Sequence, residues 1–129
     1  MKNKVYIKKS GIKNAGRGVY ASVDIKKGEV IEVCPILIFS DKDDKLIMKT
    51  RLQNYVYEYT KNCTLFALGY GSLYNHLNDP NAKYELLEHE GMPEGNSELY
   101  FTAIKPIKKN EEIFINYGIS YDEKYKPRR

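Results

Sequence analysis

Gly16 and Gly18 flank Arg17 near the N-terminus, and this Gly-x-Gly spacing could hold a ligand through the main chain. Glycine lets the backbone approach a ligand closely, and the exposed amides and carbonyls of such a loop could bind an amino-acid-like group. The segment lacks the Lys-Ser/Thr of a phosphate-binding loop and the spacing and following helix of a dinucleotide fingerprint, so it does not predict a phosphate site. Taken alone, it is explained by a plain tight turn.

Residues 75–81 read Asn-His-Leu-Asn-Asp-Pro-Asn, a composition typical of consecutive turns held by hydrogen bonds from side chains to the backbone. His76 could serve as a hydrogen-bonded spacer in such a loop. The only other histidine is His89, and no cysteine cluster accompanies the two. Because zinc sites need several such ligands together, the sequence predicts no metal site.

Tyr117 ends an apolar segment and is followed by Gly118, with Tyr121 four residues after Tyr117. A strand that ends on Tyr-Gly would bring a phenol to the mouth of a cavity. The structural alternative is a tyrosine packed at the edge of the core, and taken alone this segment favours that alternative.

Composition favours one soluble globular domain: the chain has 129 residues, of which 42% are hydrophobic and 29% charged. Its longest uncharged apolar stretch, residues 33–39, is far shorter than the roughly 20 residues of a membrane span. The N-terminus has cations but no apolar signal-peptide core, so we expect an intracellular protein, cytoplasmic or nuclear, without membrane contact. Two cysteines exclude a disulfide framework. The net charge of +4 is dispersed, which argues against direct nucleic-acid binding.

Mostly short strands are predicted to position these segments. Residues 46–59 have apolar side chains at roughly helical spacing and are predicted as the one helix, preceded by a solvated turn at 40–45. Residues 29–39 are expected to form strands broken by Pro35. Residues 88–97 contain turn formers and predict a hairpin loop. The other predicted strands are residues 4–8, 18–21, 82–87, 98–104 and 112–117.

One short pattern occurs twice: residues 25–31 read IKKGEVI and residues 107–113 read IKKNEEI. Each has a polar turn directly before an apolar strand. Gly28 and Asn110 occupy the position most in need of a positive φ. We therefore expect two equivalent turns that lead into strands of a β-rich fold.

Taken together and in this order, the Gly-x-Gly, Asn-His-x-x-x-Pro-Asn and Tyr-Gly segments resemble the SET-domain lysine methyltransferases. The resemblance covers about residues 5–121 and is greatest to the minimal, SET-only enzymes of some large viruses and bacteria. It implies a mainly β (α+β) SET fold with several small sheets, a knot-like C-terminal segment and one short helix region. Residues 1–129 would then form a single domain whose charged tail is 122–129.

The resemblance also implies a cofactor, S-adenosylmethionine, which this family binds largely through backbone groups. The knot-like arrangement would bring the second and third motifs together, and the methyl donor and the lysine would enter from opposite faces. The residues that match the family's cofactor-binding segments are Gly16, Arg17, Gly18, Asn75 and His76.

Tyr117 matches the family's catalytic tyrosine, and Tyr55 and Tyr121 resemble tyrosines that line the lysine channel, with Tyr57 as a rival to Tyr55. A free lysine has a pKa of about 10.4, so near neutral pH the neutral nucleophile is scarce, a deficit of roughly 4 kcal/mol. An apolar channel beside a sulfonium cation lowers that pKa by desolvation and like-charge repulsion. No carboxylate base is then needed, because the proton can leave to water or transiently to a tyrosine oxygen. Alignment is the main catalytic device for the displacement of the methyl group from sulfur to nitrogen.

Several positions depart from the family pattern. Leu77 and Asn78 stand where Ser and Cys are usual. Ile115 stands where Phe or Tyr often limits the number of methyl groups added, and its smaller side chain without a hydroxyl leaves room for di- or trimethylation. No cysteine-rich segment follows the domain. The missing channel wall would come from Tyr121, Tyr125 and the tail, or from a second subunit, which makes a homodimer an expectation.

The expected substrate is a histone tail or another basic protein. A basic peptide would need an acidic groove, which Glu85, Glu88, Glu90 and Glu94 could supply, although such a run is usually a solvated face. Two alternatives stay open: a catalytically silent SET-like module that binds proteins, and a small basic β-barrel that stacks RNA bases on tyrosines.

Overall fold

The computed structural model describes residues 3–60, 63–87 and 97–117. These residues are mostly strands with one short helical region, which confirms the mainly β fold. The helical region consists of α1 (Asp41–Ile47) and a 3-10 helix (Arg51–Asn54). In chain order the strands are β1 (Val5–Lys9), β2 (Arg17–Ala21), β3 (Val30–Phe39), β4 (Val56–Thr60), β5 (Cys63–Ala67), β6 (Asn75–His76), β7 (Ala82–Leu87), β8 (Glu98–Ala103) and β9 (Glu112–Ile115).

The strands form a four-stranded sheet in the order β1-β2-β9-β6 and a five-stranded sheet in the order β4-β5-β3-β8-β7. Neighbouring strands run antiparallel except β6 and β9, which pair in parallel. In that parallel pair Asn75 lies opposite Phe114 and His76 lies opposite Ile115. The Asn-His segment therefore meets the strand that leads to Tyr117, as the predicted knot-like arrangement requires.

Both sheets contribute side chains to one hydrophobic core. Fully burying an aliphatic or aromatic side chain stabilises a fold by roughly 1.5–3 kcal/mol. The core therefore fixes the sheets against each other and holds β9 in place. Its largest fully buried side chains include Tyr57, Tyr74, Tyr84, Phe101, Leu65, Leu99, Ile113 and Ile115.

The two repeated turns are equivalent in the structure, as predicted. Gly28 has φ +87° and Asn110 has φ +73°. Each turn is closed by a glutamate side chain, since the amides of Lys26 and Lys108 donate to the carboxylates of Glu29 and Glu111. The residues that begin the two repeats, Ile25 and Ile107, bond to each other through their main chains at 2.7 and 2.8 Å.

The helix predicted over residues 46–59 is wrong. Helix α1 lies earlier, and its first turn carries three aspartates that favour a helix N-terminus. The region predicted as a solvated turn is thus mostly helix. Residues 56–60 instead form β4, because Val, Tyr and Thr suit a pleated strand and β5 offers a pairing edge.

The break predicted at Pro35 is also wrong, because β3 runs through it without interruption. Before Pro35 the strand pairs with β8, and after it the strand pairs with β5 on the other edge. Pro35 is the last residue of the β8 pairing, so its missing N–H is tolerated there.

Residues 82–87 and 98–103 pair as the arms of the expected hairpin. The predicted loop between them lies outside the described residues, except Ser97. No helix in the described parts of the chain is long and apolar enough to cross a membrane.

Candidate active site

Tyr117 lies two residues after the end of β9 and is held by the Asn-His segment on β6. Its main-chain N–H donates to Nδ1 of His76 at 2.9 Å, and the two rings lie 5.1 Å apart. Its hydroxyl donates to the main-chain carbonyl of Tyr74 at 2.5 Å. Because the residue is fixed at both its backbone and its hydroxyl, the phenol oxygen has a defined position.

The two contacts of His76 define its tautomer. Nδ1 accepts a hydrogen bond from the Tyr117 amide, so in the neutral ring the proton belongs on Nε2. Nε2 lies 2.8 Å from Oδ1 of Asn78, an acceptor that suits a donating N–H. Asn78, which departs from the usual family residue, thus supports the orientation of His76.

Asn75 ties the Gly-x-Gly loop to β9. Its buried side-chain amide donates to the carbonyl of Arg17 at 2.8 Å and to the carboxylate of Glu112 at 3.1 Å. The same carboxylate accepts from the Ser10 hydroxyl at 2.7 Å and from the Gly11 amide at 2.9 Å. Glu112 was not predicted as a site residue, since a glutamate at the start of a strand carries no signal of burial.

Gly16 and Gly18 both favour glycine, but for different structural reasons. Gly16 has φ +74°, a conformation that side chains disfavour. Gly18 has none of that strain, but a Cβ there would lie 2.3 Å from the Glu112 carboxylate and 3.3 Å from the Asn75 amide. Gly16 therefore shapes the loop, and Gly18 makes room for Glu112.

Asn81 fastens the end of the Asn-rich segment to β9. Its side-chain amide donates to the carbonyl of Glu112 at 2.9 Å, and its oxygen accepts from the Phe114 amide at 2.8 Å. These bonds give hydrogen-bond partners to main-chain groups of β9 that would otherwise be unpaired on this side of the strand. The motif thus retains its scaffold although Leu77 and Asn78 replace the usual residues.

A cavity of about 300 Å³ opens beside this cluster. It adjoins a second cavity of about 550 Å³, with which it shares Arg17, Arg51, Tyr55 and Leu73. Among the described residues, none that lines the first cavity is acidic, so the lining favours a ligand with anionic or neutral polar groups. That lining consists of Ala15, Gly16, Arg17, Arg51, Asn54, Tyr55, Leu73 and Asn75.

The model of the SET-domain family matches residues 16–118. The chain belongs to the SET-domain family. The match runs from the Gly-x-Gly loop through the Asn-His segment to Tyr117 and Gly118, and ends three residues before Tyr121.

Among curated relatives, the SET-domain chain is 33% identical over 104 residues to a histone-lysine N-methyltransferase of Schizosaccharomyces pombe specific for H3 lysine-37. That similarity covers 80% of this chain and 67% of the relative. A crystal structure of a Plasmodium falciparum protein, described as a candidate histone methyltransferase, is 36% identical with a TM-score of 0.74, covering 94% of this chain and 98% of that one. These similarities identify the SET-domain chain as a protein-lysine methyltransferase.

The fold also matches one chain of Polycomb Repressive Complex 2 from Chaetomium thermophilum, solved in an autoinhibited conformation bound to S-adenosylmethionine. The identity is 23% and the TM-score 0.74, with 92% of this chain and 15% of that chain covered. At this identity the likeness concerns the fold alone. The matched region is thus a small part of that much longer chain.

The predicted channel residues of the SET domain differ in their surroundings. Tyr55 lines both cavities, whereas its rival Tyr57 is 1% exposed and donates its hydroxyl to the Gly71 carbonyl at 2.8 Å. This geometry favours Tyr55. Ile115 is fully buried in the core, and its role in the channel stays a prediction. Tyr121 lies outside the described residues.

Within the described residues, no three His, Cys, Asp or Glu side chains lie close enough together to hold a metal ion. Cys34 and Cys63 are both free thiols.

Proposed function

We propose that the protein transfers a methyl group from S-adenosylmethionine to the ε-amine of a lysine in a histone tail or another basic protein. The observation that carries this proposal is the parallel pairing of β6 with β9, which holds Tyr117 between His76 and the Tyr74 carbonyl. In the proposal Tyr117 is the catalytic residue. Tyr55, Ile115 and Tyr121 line the lysine channel.

The residues around the cavity fit the proposed cofactor. Gly16 lines the cavity and has no side chain, so a ligand can approach the main chain there. Arg17 and Arg51 line the same cavity and offer cationic groups to the carboxylate of the cofactor. When bound, S-adenosylmethionine supplies a methyl group on a positively charged sulfur. Gly16, Arg17 and Asn75 line the cavity and would hold it there. Gly18 and His76, the other two predicted cofactor-binding residues, are not among the described residues of the lining: Gly18 makes room for Glu112, and His76 accepts from the Tyr117 amide.

The hydrogen bond of the Tyr117 hydroxyl determines what its oxygen can do. Because its proton points to the Tyr74 carbonyl, the lone pairs of the phenol oxygen point elsewhere and act as acceptors. An acceptor at this point can take an N–H of a neutral lysine amine and orient its lone pair. Such alignment is the main catalytic device for a displacement reaction between two bound groups.

The histone substrate is supported by the names of two of the relatives that are more than 30% identical to this chain. An acidic groove formed by glutamates has little support, because Glu85 is paired with Lys83 at 2.7 Å. The other three glutamates of that prediction, residues 88, 90 and 94, lie outside the described residues. A histone substrate would place the protein in a nucleus.

Calorimetric titration with S-adenosylmethionine, followed by transfer of radiolabelled methyl to core histones, tests the proposal. We expect binding and a labelled histone band. Absence of cofactor binding would contradict the enzyme and favour the silent protein-binding module. RNA affinity that falls with salt, without cofactor binding, would favour the RNA-binding alternative.

Tyr117→Phe removes only the hydroxyl and is the sharpest variant for the same assay. We expect the turnover number to fall by at least about a hundredfold, since the hydrogen bond to Tyr74 and the oriented acceptor are both lost. Cofactor affinity should stay within about twofold, because the Tyr117 amide still donates to His76. Turnover equal to that of wild type would exclude Tyr117 from the mechanism.

The homodimer stays a prediction, because the residues expected to need a second subunit, Tyr121 and Tyr125, lie outside the described part of the chain. Sedimentation equilibrium at several protein concentrations measures the mass directly. A single species of 15.0 kDa would contradict the prediction.

A further inference from the structure

Glu32 lies on β3 next to an irregularity in the strand. The pairing of β3 with β8 shifts register between Val30 and Glu32. Ile31 lies within the shift and is buried, and Cys34 and Ile36 are buried after it, although strict alternation would point Ile31 the opposite way. A bulge re-aims the side chains that follow it, so Glu32 shares the buried face with Cys34 and Ile36.

The carboxylate of Glu32 is held by donors from one segment of the chain, residues 69–74. One oxygen accepts from the Tyr74 hydroxyl at 2.7 Å, and the other accepts from the Tyr70 amide at 2.9 Å. No cation in the described residues forms an ion pair with it. The carboxylate therefore accepts hydrogen bonds from two neutral groups, and these bonds fix the position of the donors in return.

Two glycines let this segment lie directly on β3. Gly69 has φ +71°, and a Cβ there would lie 2.6 Å from the Glu32 carboxylate. A Cβ on Gly71 would lie 2.6 Å from the Cβ of Ala67 and 2.8 Å from the sulfur of Cys34. A side chain at either position would force this segment away from β3.

Tyr74 connects Glu32 to the catalytic tyrosine. Its ring is fully buried and stacked on Phe101, with centroids 4.5 Å apart. Burial raises the pKa of its phenol, and the Glu32 carboxylate raises it further, so the hydroxyl keeps its proton and donates. The carbonyl of the same residue accepts the hydroxyl of Tyr117 at 2.5 Å.

We propose that Glu32 is a positioning residue for methyl transfer, which acts through Tyr74 to fix the acceptor of the Tyr117 hydroxyl. This inference rests on the proposed function. Glu32 touches no reacting group; it anchors the side chain of Tyr74, whose carbonyl orients the phenol. Since misplacement of a reacting group by a fraction of an ångström slows a reaction substantially, loss of the anchor should be visible in turnover.

Kinetics of Glu32→Gln and Tyr74→Phe test this role. Each variant keeps the shape of the side chain but removes the bond from the Tyr74 hydroxyl to a carboxylate. We expect the turnover number to fall about tenfold in both, with the KM of the histone peptide and the Kd of S-adenosylmethionine within about twofold of wild type. A purely structural role would change stability without this separation of turnover from binding.

Matched controls make the same chemical changes elsewhere. Glu29→Gln alters a carboxylate paired with Lys4, three residues before Glu32. Tyr84→Phe alters another buried tyrosine that packs near Phe101, with ring centroids 6.5 Å apart. Both controls should keep turnover within about twofold of wild type.

A second measurement does not depend on catalysis. With tyrosines labelled with carbon-13 at Cζ, the signal of Tyr117 is assigned by its loss in Tyr117→Phe. We expect this signal to shift in Glu32→Gln and Tyr74→Phe and to stay in place in both controls. If Glu32→Gln does not fold, Tyr74→Phe alone carries the test.

An unmoved Tyr117 signal together with unchanged turnover in folded Glu32→Gln or Tyr74→Phe would overturn the inference. Failure of the proposed function is distinguishable from this outcome, because wild type would then transfer no methyl group. In that case the NMR signal still decides whether Glu32 controls the position of the Tyr117 phenol.

Discussion

Glu112 is the residue through which the Gly-x-Gly loop, Asn75 and strand β9 meet. Its carboxylate accepts three hydrogen bonds, from the Ser10 hydroxyl, the Gly11 amide and the Asn75 side chain. Hydrogen bonds to a charged acceptor are about twice as strong as bonds between neutral groups. The proposed cofactor loop is therefore fixed by a side chain that need not touch the cofactor itself.

Gly18→Ala adds one methyl group and tests whether the position of the Glu112 carboxylate matters. The added Cβ would lie 2.3 Å from the Glu112 carboxylate, which cannot move without breaking the hydrogen bonds that hold it. We expect the free energy of unfolding to fall by about 1–3 kcal/mol, measured by urea denaturation. Affinity for S-adenosylmethionine should fall as well.

Gly11→Ala is the matched control, because its Cβ would meet the same carboxylate at an ordinary 3.6 Å. Its stability should stay within about 0.5 kcal/mol of wild type. Equal losses in the two variants would show that contact with Glu112 is not what requires glycine at position 18.

Among the residues of the candidate site, the sequence indicates those whose types and order match a family pattern. It misses those whose contribution depends on long-range contacts in the fold. Gly16, Asn75, His76 and Tyr117 could be found because their order matches a family pattern. Glu32 could not, since an isolated glutamate in an apolar strand gives no sign of the bulge that turns it inward. Long-range contacts of this kind depend on strand register, which the local pattern does not contain.

At the scale of elements, the two repeated turns lead into β3 and β9, the strands that carry Glu32 and the approach to Tyr117. In each turn the amide of the residue with positive φ also bonds across to another strand end: Gly28 to the Ala103 carbonyl and Asn110 to the Ala21 carbonyl. A turn that changed conformation would lose these anchors. The positions at which β3 and β9 begin therefore depend on Gly28 and Asn110, respectively.

Substitutions at the two left-handed positions measure this dependence. A Cβ on Gly28 would meet nothing within 4 Å, so Gly28→Ala adds only backbone strain, and we expect a loss of about 1–2 kcal/mol in unfolding free energy. Asn110→Ala should lose about 1 kcal/mol, because it removes the local polar side chain that tolerates this conformation and the bond from the Tyr6 hydroxyl.

Lys27→Ala, at an exposed neighbouring position, is the control and should change stability by less than about 0.5 kcal/mol. Asn110→Gly should be less destabilising than Asn110→Ala, since glycine relieves the strain while the Tyr6 bond is still lost. The reverse order would show that the positive φ does not determine the effect at this turn.

The elements also show why the repeated turns were predicted and the helix was not. A positive φ before a strand is a local requirement, and glycine or asparagine signals it directly. Residues 46–59 have apolar side chains that fit helical spacing, but Val56, Tyr57 and their neighbours have high strand propensity. Pairing with β5, a tertiary interaction, decides between the two.

At the scale of the whole molecule, the packing of the two sheets buries groups that ionise at high pH. Burial raises the pKa of the Cys34 thiol above its ordinary 9.0, and the nearby Glu32 carboxylate raises it further. Burial likewise raises the pKa of the Tyr74 phenol above 10.0, again assisted by Glu32. In the folded protein both groups therefore keep protons that the unfolded chain loses.

These shifts predict a loss of stability in alkaline solution. Below about pH 8 both groups are protonated in the folded and unfolded states, and their contribution to stability is complete. As the pH rises, the unfolded chain releases the Cys34 proton first and the Tyr74 proton above about pH 10. Each group then lowers the free energy of unfolding by up to about 1.4 kcal/mol per pH unit. Urea denaturation across this range measures the slope.

Tyr74→Phe separates the contribution of the phenol from that of the thiol. The variant has no proton to release at this position, so above about pH 10 its stability should fall less steeply with pH than that of wild type, by up to about 1.4 kcal/mol per unit. Below about pH 9 the two curves should run parallel, whatever the loss caused by the missing hydrogen bond. Parallel curves above pH 10 as well would contradict the raised pKa and, with it, the picture of Tyr74 as a permanent donor to Glu32.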